Sequence, residues 1–194
     1  TGAGADVGAW SSAPDINTSR GFGGGGAGTY TSALLFGGNV QPTYTEYYNG
    51  SSWTEIADLN TGKNKTLGFG VYTAAINASG DPGSPTGGTD LTELFNGSTW
   101  TEVNNLNHAI GLHGGTGTAT AAISFGGYDT EVRAYTETWN GTNWTEVNTL
   151  NSARSSIGAA GTNTAALGYG GYTGGSPVNS HRVDLTEVWN GTNW

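Results

Sequence analysis

Among the residues of this sequence that could do chemistry, glutamates recur at regular spacing. Seven glutamates, each preceded by threonine, recur at corresponding places: Glu46, Glu55, Glu93, Glu102, Glu137, Glu146 and Glu187. Two carboxyl groups can hydrolyse a glycosidic bond when one pair is held at a defined separation. Because these glutamates recur, no pair is distinguished, and we expect solvent-facing strand positions that meet Arg20, Lys63 and Arg154.

Other catalytic and metal-binding patterns are weak. The chain has no cysteine, and its three histidines are His108, His113 and His181. It has no Gly-x-Ser-x-Gly motif, and the glycine run 23–26 is not followed by the Lys-Ser/Thr of a phosphate-binding loop. We therefore expect a protein that is not an enzyme, with no cofactor and no metal site. A hydrolase is the weakest of the alternatives that we keep.

Composition limits the classes of partner. The chain has 194 residues and a formal net charge of −9, with six lysines and arginines together. Nucleic-acid binding depends on clustered cations, so a nucleic-acid partner is not expected. No apolar stretch approaches the roughly 18 residues of a membrane span, so none is expected. The 35 glycines and 21 aromatic residues together indicate a folded protein with many turns.

Tryptophans mark an internal repeat. Trp10, Trp53, Trp100, Trp144 and Trp194 are separated by 43, 47, 44 and 50 residues. Each unit contains four pieces rich in Thr, Val, Ile, Tyr and Trp, which favours strands over helices. The motif Asn-Gly-x-x-Trp occurs four times, and Asn-Gly predicts a primed hairpin turn with the tryptophan packed between neighbouring sheets. A period in the forties with strand-like content is typical of propeller blades.

One connection in each unit varies in length. From Gly38, Gly80, Gly127 and Gly171 to the Thr-Glu of the third strand-like piece, at Thr45, Thr92, Thr136 and Thr186, the separations are 7, 12, 9 and 15 residues. The rest of the unit has a constant length. A repeated scaffold with one variable loop per unit is how repeat proteins place function on one face.

Several of these features together resemble the kelch repeat. They are a second strand ending in a glycine pair, an aromatic residue ending the third strand, the tryptophan that follows, and a basic residue after the fourth strand (Arg20, Lys63, Arg154). The second unit lacks the glycine pair, and Ile110 stands where the third basic residue would be. The resemblance implies an all-β, kelch-like β-propeller of four blades of about 46 residues, with repeats at 10–53, 53–100, 100–144 and 144–194 in a single domain, 1–194.

Ring closure is expected from a strand at 11–16 that pairs with the last blade. The alternatives are a half-ring that pairs with a second copy and a piece of a longer array. Kelch-type propellers include galactose oxidase, whose copper site requires a tyrosine cross-linked to cysteine. This chain has no cysteine, so copper is not expected.

The resemblance also implies that the variable loops and the connections between blades share one face. That face would gather the candidate ligand-binding residues, with Arg20, His108 and Arg154 nearby. The candidates are Tyr44, Tyr128, Asp129, Arg133, Tyr172, His181 and Arg182. We expect a binding or adhesion propeller that recognises a glycan or a protein, as a monomer or homo-oligomer. The repeat sequences are similar to repeats of phage virion-associated and extracellular proteins, so we expect a virion-associated or extracellular location. The main alternative is a purely structural or engineered module that self-assembles.

Overall fold

Most of the segments predicted as strands form strands in the computed structural model, which describes residues 10–21, 23–40, 42–82, 87–174 and 181–194. These residues are all-β and form four antiparallel sheets in which each strand pairs with the next along the chain. The first blade contains β1 (Gly25–Thr29), β2 (Ser32–Phe36), β3 (Thr45–Tyr48) and β4 (Trp53–Ile56). The second contains β5 (Leu67–Val71), β6 (Ala74–Gly80), β7 (Thr89–Phe95) and β8 (Trp100–Glu102). The third contains β9 (Gly114–Thr118), β10 (Ala121–Phe125), β11 (Thr136–Trp139) and β12 (Trp144–Glu146).

The last blade differs from the other three. It contains β13 (Gly158–Gly161), β14 (Ala166–Tyr169) and β15 (Thr186–Trp189), and its sheet has three strands. Residues 11–16, which we expected to supply its fourth strand, have no strand assignment and are mostly exposed. The arrangement of blades is propeller-like, but this closing pair of strands is not formed in the structure.

The apolar core lies between the blades. In the part of the chain that the structure describes, it consists of three clusters, one at each interface between successive blades. The tryptophans of three Asn-Gly-x-x-Trp motifs enter these interfaces and donate a hydrogen bond from Nε1 to a threonine Oγ1 of the preceding blade. The pairs are Trp100 with Thr45 at 3.1 Å, Trp144 with Thr92 at 3.0 Å and Trp194 with Thr136 at 3.0 Å.

The Asn-Gly turn has a different geometry from the one predicted. In the first blade, Gly50 has a φ of 93°, whereas Asn49 is not among the residues with positive φ. The side chain of Asn49 instead accepts hydrogen bonds at 2.9 Å from the backbone N–H groups of Ser51 and Ser52. The prediction of a primed two-residue turn is therefore wrong. The loop has four residues and is held by the asparagine side chain, and the same pair of bonds recurs at Asn96, Asn140 and Asn190.

The glycine pair lies where the end of the second strand packs against the basic residue. Gly37 and Gly38 have φ values of 68° and 112°, and a side chain on Gly38 would contact the stem of Arg20. In the second blade, Ser79 and Gly80 adopt the same conformation, with φ values of 61° and 126°. The sequence departs from the pattern there, but the backbone does not.

Three of the four glutamates of the third strands are buried, so the solvent-facing positions that we predicted for them are wrong. Glu46, Glu93 and Glu137 have almost no exposed surface. Their predicted basic partners are correct: Arg20 Nη2 lies 2.8 Å from Glu46, and Lys63 Nζ lies 3.4 Å from Glu93. The corresponding pair in the last blade, Arg154 with Glu187, lies at 2.8 Å. The glutamates of the fourth strands (Glu55, Glu102 and Glu146) are exposed, as expected.

An asparagine before the basic residue completes each carboxylate site. Asn17 donates from its backbone N and its Nδ2 to Glu46, at 2.7 and 2.9 Å. Asn60, Asn107 and Asn151 make the same two bonds to Glu93, Glu137 and Glu187. The carboxylate of one blade is thus held by the chain segment that enters that blade.

The free-energy cost of burying each glutamate depends on the hydrogen-bond donors and cations around it. Burial alone raises the pKa of the Glu46 carboxyl, but hydrogen bonds from Arg20, Asn17 and Thr18 outweigh it and leave the pKa below its ordinary value. Burial lowers the pKa of the Lys63 ammonium, and Glu93 offsets part of that effect.

We predict that removing the carboxylate charge lowers stability more where a buried cation faces it than where none does. Glu46→Gln leaves Arg20 uncompensated and should lower the free energy of unfolding by about 3–5 kcal/mol. Glu137→Gln is the matched control, because Ile110 replaces the cation there and the donors are Asn107 and the backbone of His108. It should cost about 1–3 kcal/mol. Denaturant unfolding measures both, and equal losses would contradict a role for the cation.

Candidate functional site

Strand order places the variable connections at one end of each blade. Successive strands in every sheet are antiparallel. The connection from the second to the third strand therefore lies opposite the Asn-Gly turn, which joins the third strand to the fourth. The connection that leaves the fourth strand for the next blade starts at the same end as the variable one. We call this end the variable-loop face, and it carries both the variable connections and the connections between blades, as expected from the sequence.

The described parts of the variable loops are fixed to the connections that enter the same blade. Isolated backbone bridges join Asn64 with Asp81, Gly111 with Tyr128, and Ser155 with Tyr172. Each bridge consists of two hydrogen bonds of 2.6–3.0 Å. The bases of these loops are therefore held by backbone pairing. The tips at 83–86 and 175–180 lie outside the described residues.

Two candidate residues of the third blade bind each other. Arg133 Nε lies 2.8 Å from Asp129 Oδ2, and Arg133 Nη1 lies 2.5 Å from Glu131. The other oxygen of Asp129 accepts from the backbone N–H groups of Thr130 and Glu131. Burial works to raise the pKa of Asp129, but Arg133 and these N–H groups lower it to about 2. The contacts of Asp129 and Arg133 thus lie within their own loop, which follows Tyr128.

The other candidates lie in different blades. In the last blade, Tyr172 and Arg182 pair through their backbones, and the His181 carbonyl accepts from Thr173 N at 3.0 Å. The side chains of His181 and Arg182 are exposed. Tyr44 is half-buried in the first blade, where its carbonyl accepts from Arg20 at 2.6 Å. The structure thus brings the candidates together as two groups, one in the third blade and one in the fourth, with Tyr44 in the first.

The basic residues that we placed near this face belong to the interior. Arg20 and Arg154 have buried side chains engaged with Glu46 and Glu187, so they are not available to a ligand. Arg154 follows the fourth strand β12 as predicted, whereas the segment before Arg20 has no strand assignment. Both long side chains point inward to their carboxylates. His108 is half-buried and stacks on Tyr135 at 3.7 Å between ring centroids.

A cleft between the second and third blades was not anticipated. It has a volume of about 120 Å³. Its lining residues are Lys65, Asp81, Gly87, Gly88, Gly111, Leu112 and Tyr128. Lys65 Nζ and Asp81 Oδ2 form an ion pair at 3.0 Å, with part of both side chains exposed. A side chain on Gly87 would overlap the backbone of Asp129, so the loops of the two blades touch here.

Tyr128 was the only one of these lining residues among the candidates. Lys65 and Leu112 line the cleft because both adopt positive φ, at 51° and 55°, just before their first strands. The corresponding positions hold Gly23 and Ser156, with φ values of 94° and 53°. A glycine at this place in one repeat was the available signal, because an unusual backbone conformation is often marked by glycine.

The cleft can exchange hydrogen bonds with a small polar group. The lysine offers donors and the carboxylate offers acceptors within one ion pair, and the Tyr128 ring supplies an aromatic surface. Its volume is below the roughly 300 Å³ of a pocket for a drug-sized ligand, so it suits part of a larger ligand. Among the described residues, no group of three or more His, Asp or Glu side chains could hold a metal ion.

His113 is buried next to this cleft. Its Nδ1 lies 2.5 Å from Ser124 Oγ, and it follows Leu112 at the position that Thr66 occupies in the second blade. Burial lowers the pKa of His113 from 6.5 to about 4, although a hydrogen bond with the Ala78 backbone acts in the opposite direction. The folded protein therefore holds this imidazole neutral.

We predict an acid-sensitive stability that depends on His113. Since the unfolded chain binds a proton near pH 6.5 and the folded chain only near pH 4, stability is complete above pH 6.5 and falls across that window. The loss should be about 3 kcal/mol.

Thermal or urea unfolding of the His113→Thr variant should show this part of the pH dependence removed. His181→Ala, which changes an exposed histidine, is the control and should retain it. If His113→Thr keeps the parent's slope between these pH values, the acid sensitivity arises elsewhere.

No protein-family model and no curated protein matches the chain. Within the described ranges, no helix has the length and apolarity needed to cross a membrane.

Proposed function

We propose that this chain is a non-enzymatic binding or adhesion module that recognises its ligand on the variable-loop face. The observation that carries the proposal is the position of the length variation. The loops that differ between units lie at one end of the blades, and two of them meet there around an ion pair and a tyrosine. The opposite end carries the same four-residue turn in every blade.

The chemistry of the cleft favours a glycan over a protein loop. A sugar hydroxyl both donates and accepts, so two neighbouring hydroxyls can bond to Asp81 and Lys65 together. The Tyr128 ring beside them would cover an apolar edge of the sugar. A protein loop that inserts one polar side chain is the second possibility. The net charge of −9 makes nucleic acid a poor partner.

The finer fold assignment forms part of the proposal. The glycine pairs, the interface tryptophans and the buried basic residues support a kelch-like propeller. The similarity of the repeats to those of phage virion-associated and extracellular proteins supports a location outside a cell or on a virus particle. The proposal includes no catalytic step and no cofactor, and no observation favours the hydrolase.

We predict that variants on the variable-loop face reduce ligand binding without loss of stability. Lys65→Gly removes the ammonium and keeps the backbone conformation that Gly23 adopts in the first blade. Because a hydrogen bond to a charged group contributes about 1.5–3 kcal/mol, affinity should fall at least about tenfold. The triple change of Tyr172, His181 and Arg182 to alanine tests the second group of candidates.

Binding to a glycan array, followed by titration of each hit, is the measurement. Ser51→Ala and Ser98→Ala, on exposed turns of the opposite end, are the matched controls. Loss with Lys65→Gly alone places the ligand in the cleft, and loss with the triple variant alone places it in the last blade. Binding that is reduced only by the two control variants would overturn the proposal.

A further inference from the structure

The interfaces between blades repeat one set of contacts. Strand register makes Leu34, Ile76, Ile123 and Leu167 equivalent, because each pairs with the corresponding residue of its first strand. The first three face a following blade and are 2%, 0% and 0% exposed. Each interface also contains one tryptophan-to-threonine hydrogen bond.

The last blade has this same surface uncovered. Leu167 is 40% exposed and Tyr169 is 46% exposed, whereas Phe36, at the position of Tyr169, is fully buried. Thr186, which corresponds to the threonines that accept from tryptophan, is also exposed. With Val188, at 61% exposure, these residues form an apolar face at the free end of the arc.

In the first blade, the side of the sheet that would face a preceding blade is uncovered. Trp53 is half-buried, whereas Trp100 and Trp144 at the same position are buried. Tyr30 is 91% exposed. Its equivalent in the second blade, Tyr72, stacks at 3.7 Å on Tyr47 of the first blade.

The two end faces match each other. Strand register makes Val188 the equivalent of Tyr47, so the interface pattern would bring Tyr30 onto Val188. Both residues are described, and within one chain they do not meet. The innermost strands pack in succession, β1 on β5, β5 on β9 and β9 on β13, with no comparable packing between the described strands β13 and β1.

We propose that a second copy of this chain covers both faces, head to tail, to form a ring of eight blades. Propellers have about four to eight blades, and two copies of this four-bladed arc make eight, whereas three copies would exceed that range. The last face of each copy covers the first face of the other, with the contacts of the three internal interfaces. An interface of this kind closes when the rotation completes a ring.

Residues 10–17 support closure between copies. Asn17 binds Glu46 as Asn60 binds Glu93, so residues 10–16 precede Asn17 as a fourth strand precedes its asparagine. Asp15 corresponds to Asp58, which accepts from Thr45 N at 3.3 Å. The three-stranded last sheet has room for this strand beside β15. In the ring, residues 11–16 of one copy pair with β15 of the other.

The mass of the protein in solution tests the proposal. The parent should have a mass of about 40 kDa, twice the 19.8 kDa of one chain, by size exclusion with light scattering. Val188→Lys and Tyr30→Glu change opposite ends of the arc at exposed positions, and each alone should give monomers with unchanged melting of the blades. Val71→Lys adds the same charge at an exposed position on neither end face and should stay a dimer.

Mixing the two monomeric variants distinguishes head-to-tail contact from other dimers. One of the two interfaces in the mixed pair is that of the parent, and the other brings the introduced lysine of one copy opposite the introduced glutamate of the other. The mixture should therefore regain the mass of two chains. A monomeric parent, a dimer that survives Val188→Lys, a mixture that stays monomeric, or open assemblies that grow with concentration would each overturn the proposal.

Discussion

The structure depends on the carboxylate in the third strand of each blade, which is buried in the first three blades and binds the segment that enters its own blade. A carboxylate with no exposed surface is stable only if donors surround it, because unpaired burial of a charge is very costly. Glu46 and Glu93 receive these donors from the segment that precedes their own blade. The segment that enters each blade therefore carries the asparagine, and in three of the four blades a basic residue follows it three positions later. Gly38, at the end of the second strand, lies against the stem of Arg20, and its φ of 112° is a backbone conformation that favours glycine.

This arrangement explains why the third blade tolerates Ile110. The carboxylate there receives its donors from Asn107 and the backbone N–H of His108, and the isoleucine fills the space of the cationic stem against Gly127. Backbone donors hold a carboxylate without a second charge. The neighbouring position holds His113, which is buried and neutral, and the cleft lies against the same pair of blades.

Local chemistry and length were sufficient to predict the strands, the repeat and the end of the blades where the loops vary. The burial of Glu46 was not predictable in the same way, because Thr-Glu in an alternating strand is typical of a surface, and the sequence does not show that the segment at 17–20 packs onto this carboxylate. The cleft depends on the backbone conformation of Lys65 and Leu112, which lie in different repeats. Asp129 and Arg133 were identified as polar loop residues, but their pairing is a matter of three-dimensional geometry.

The repeated contacts between blades have an evolutionary consequence. Each unit offers the same tryptophan to the unit before it and the same threonine to the unit after it. A recombination event that deletes or duplicates one whole unit therefore leaves every remaining interface with its proper partners. Blade number can change in such a gene without any new interface having to arise, while each variable loop diverges independently of the interface residues.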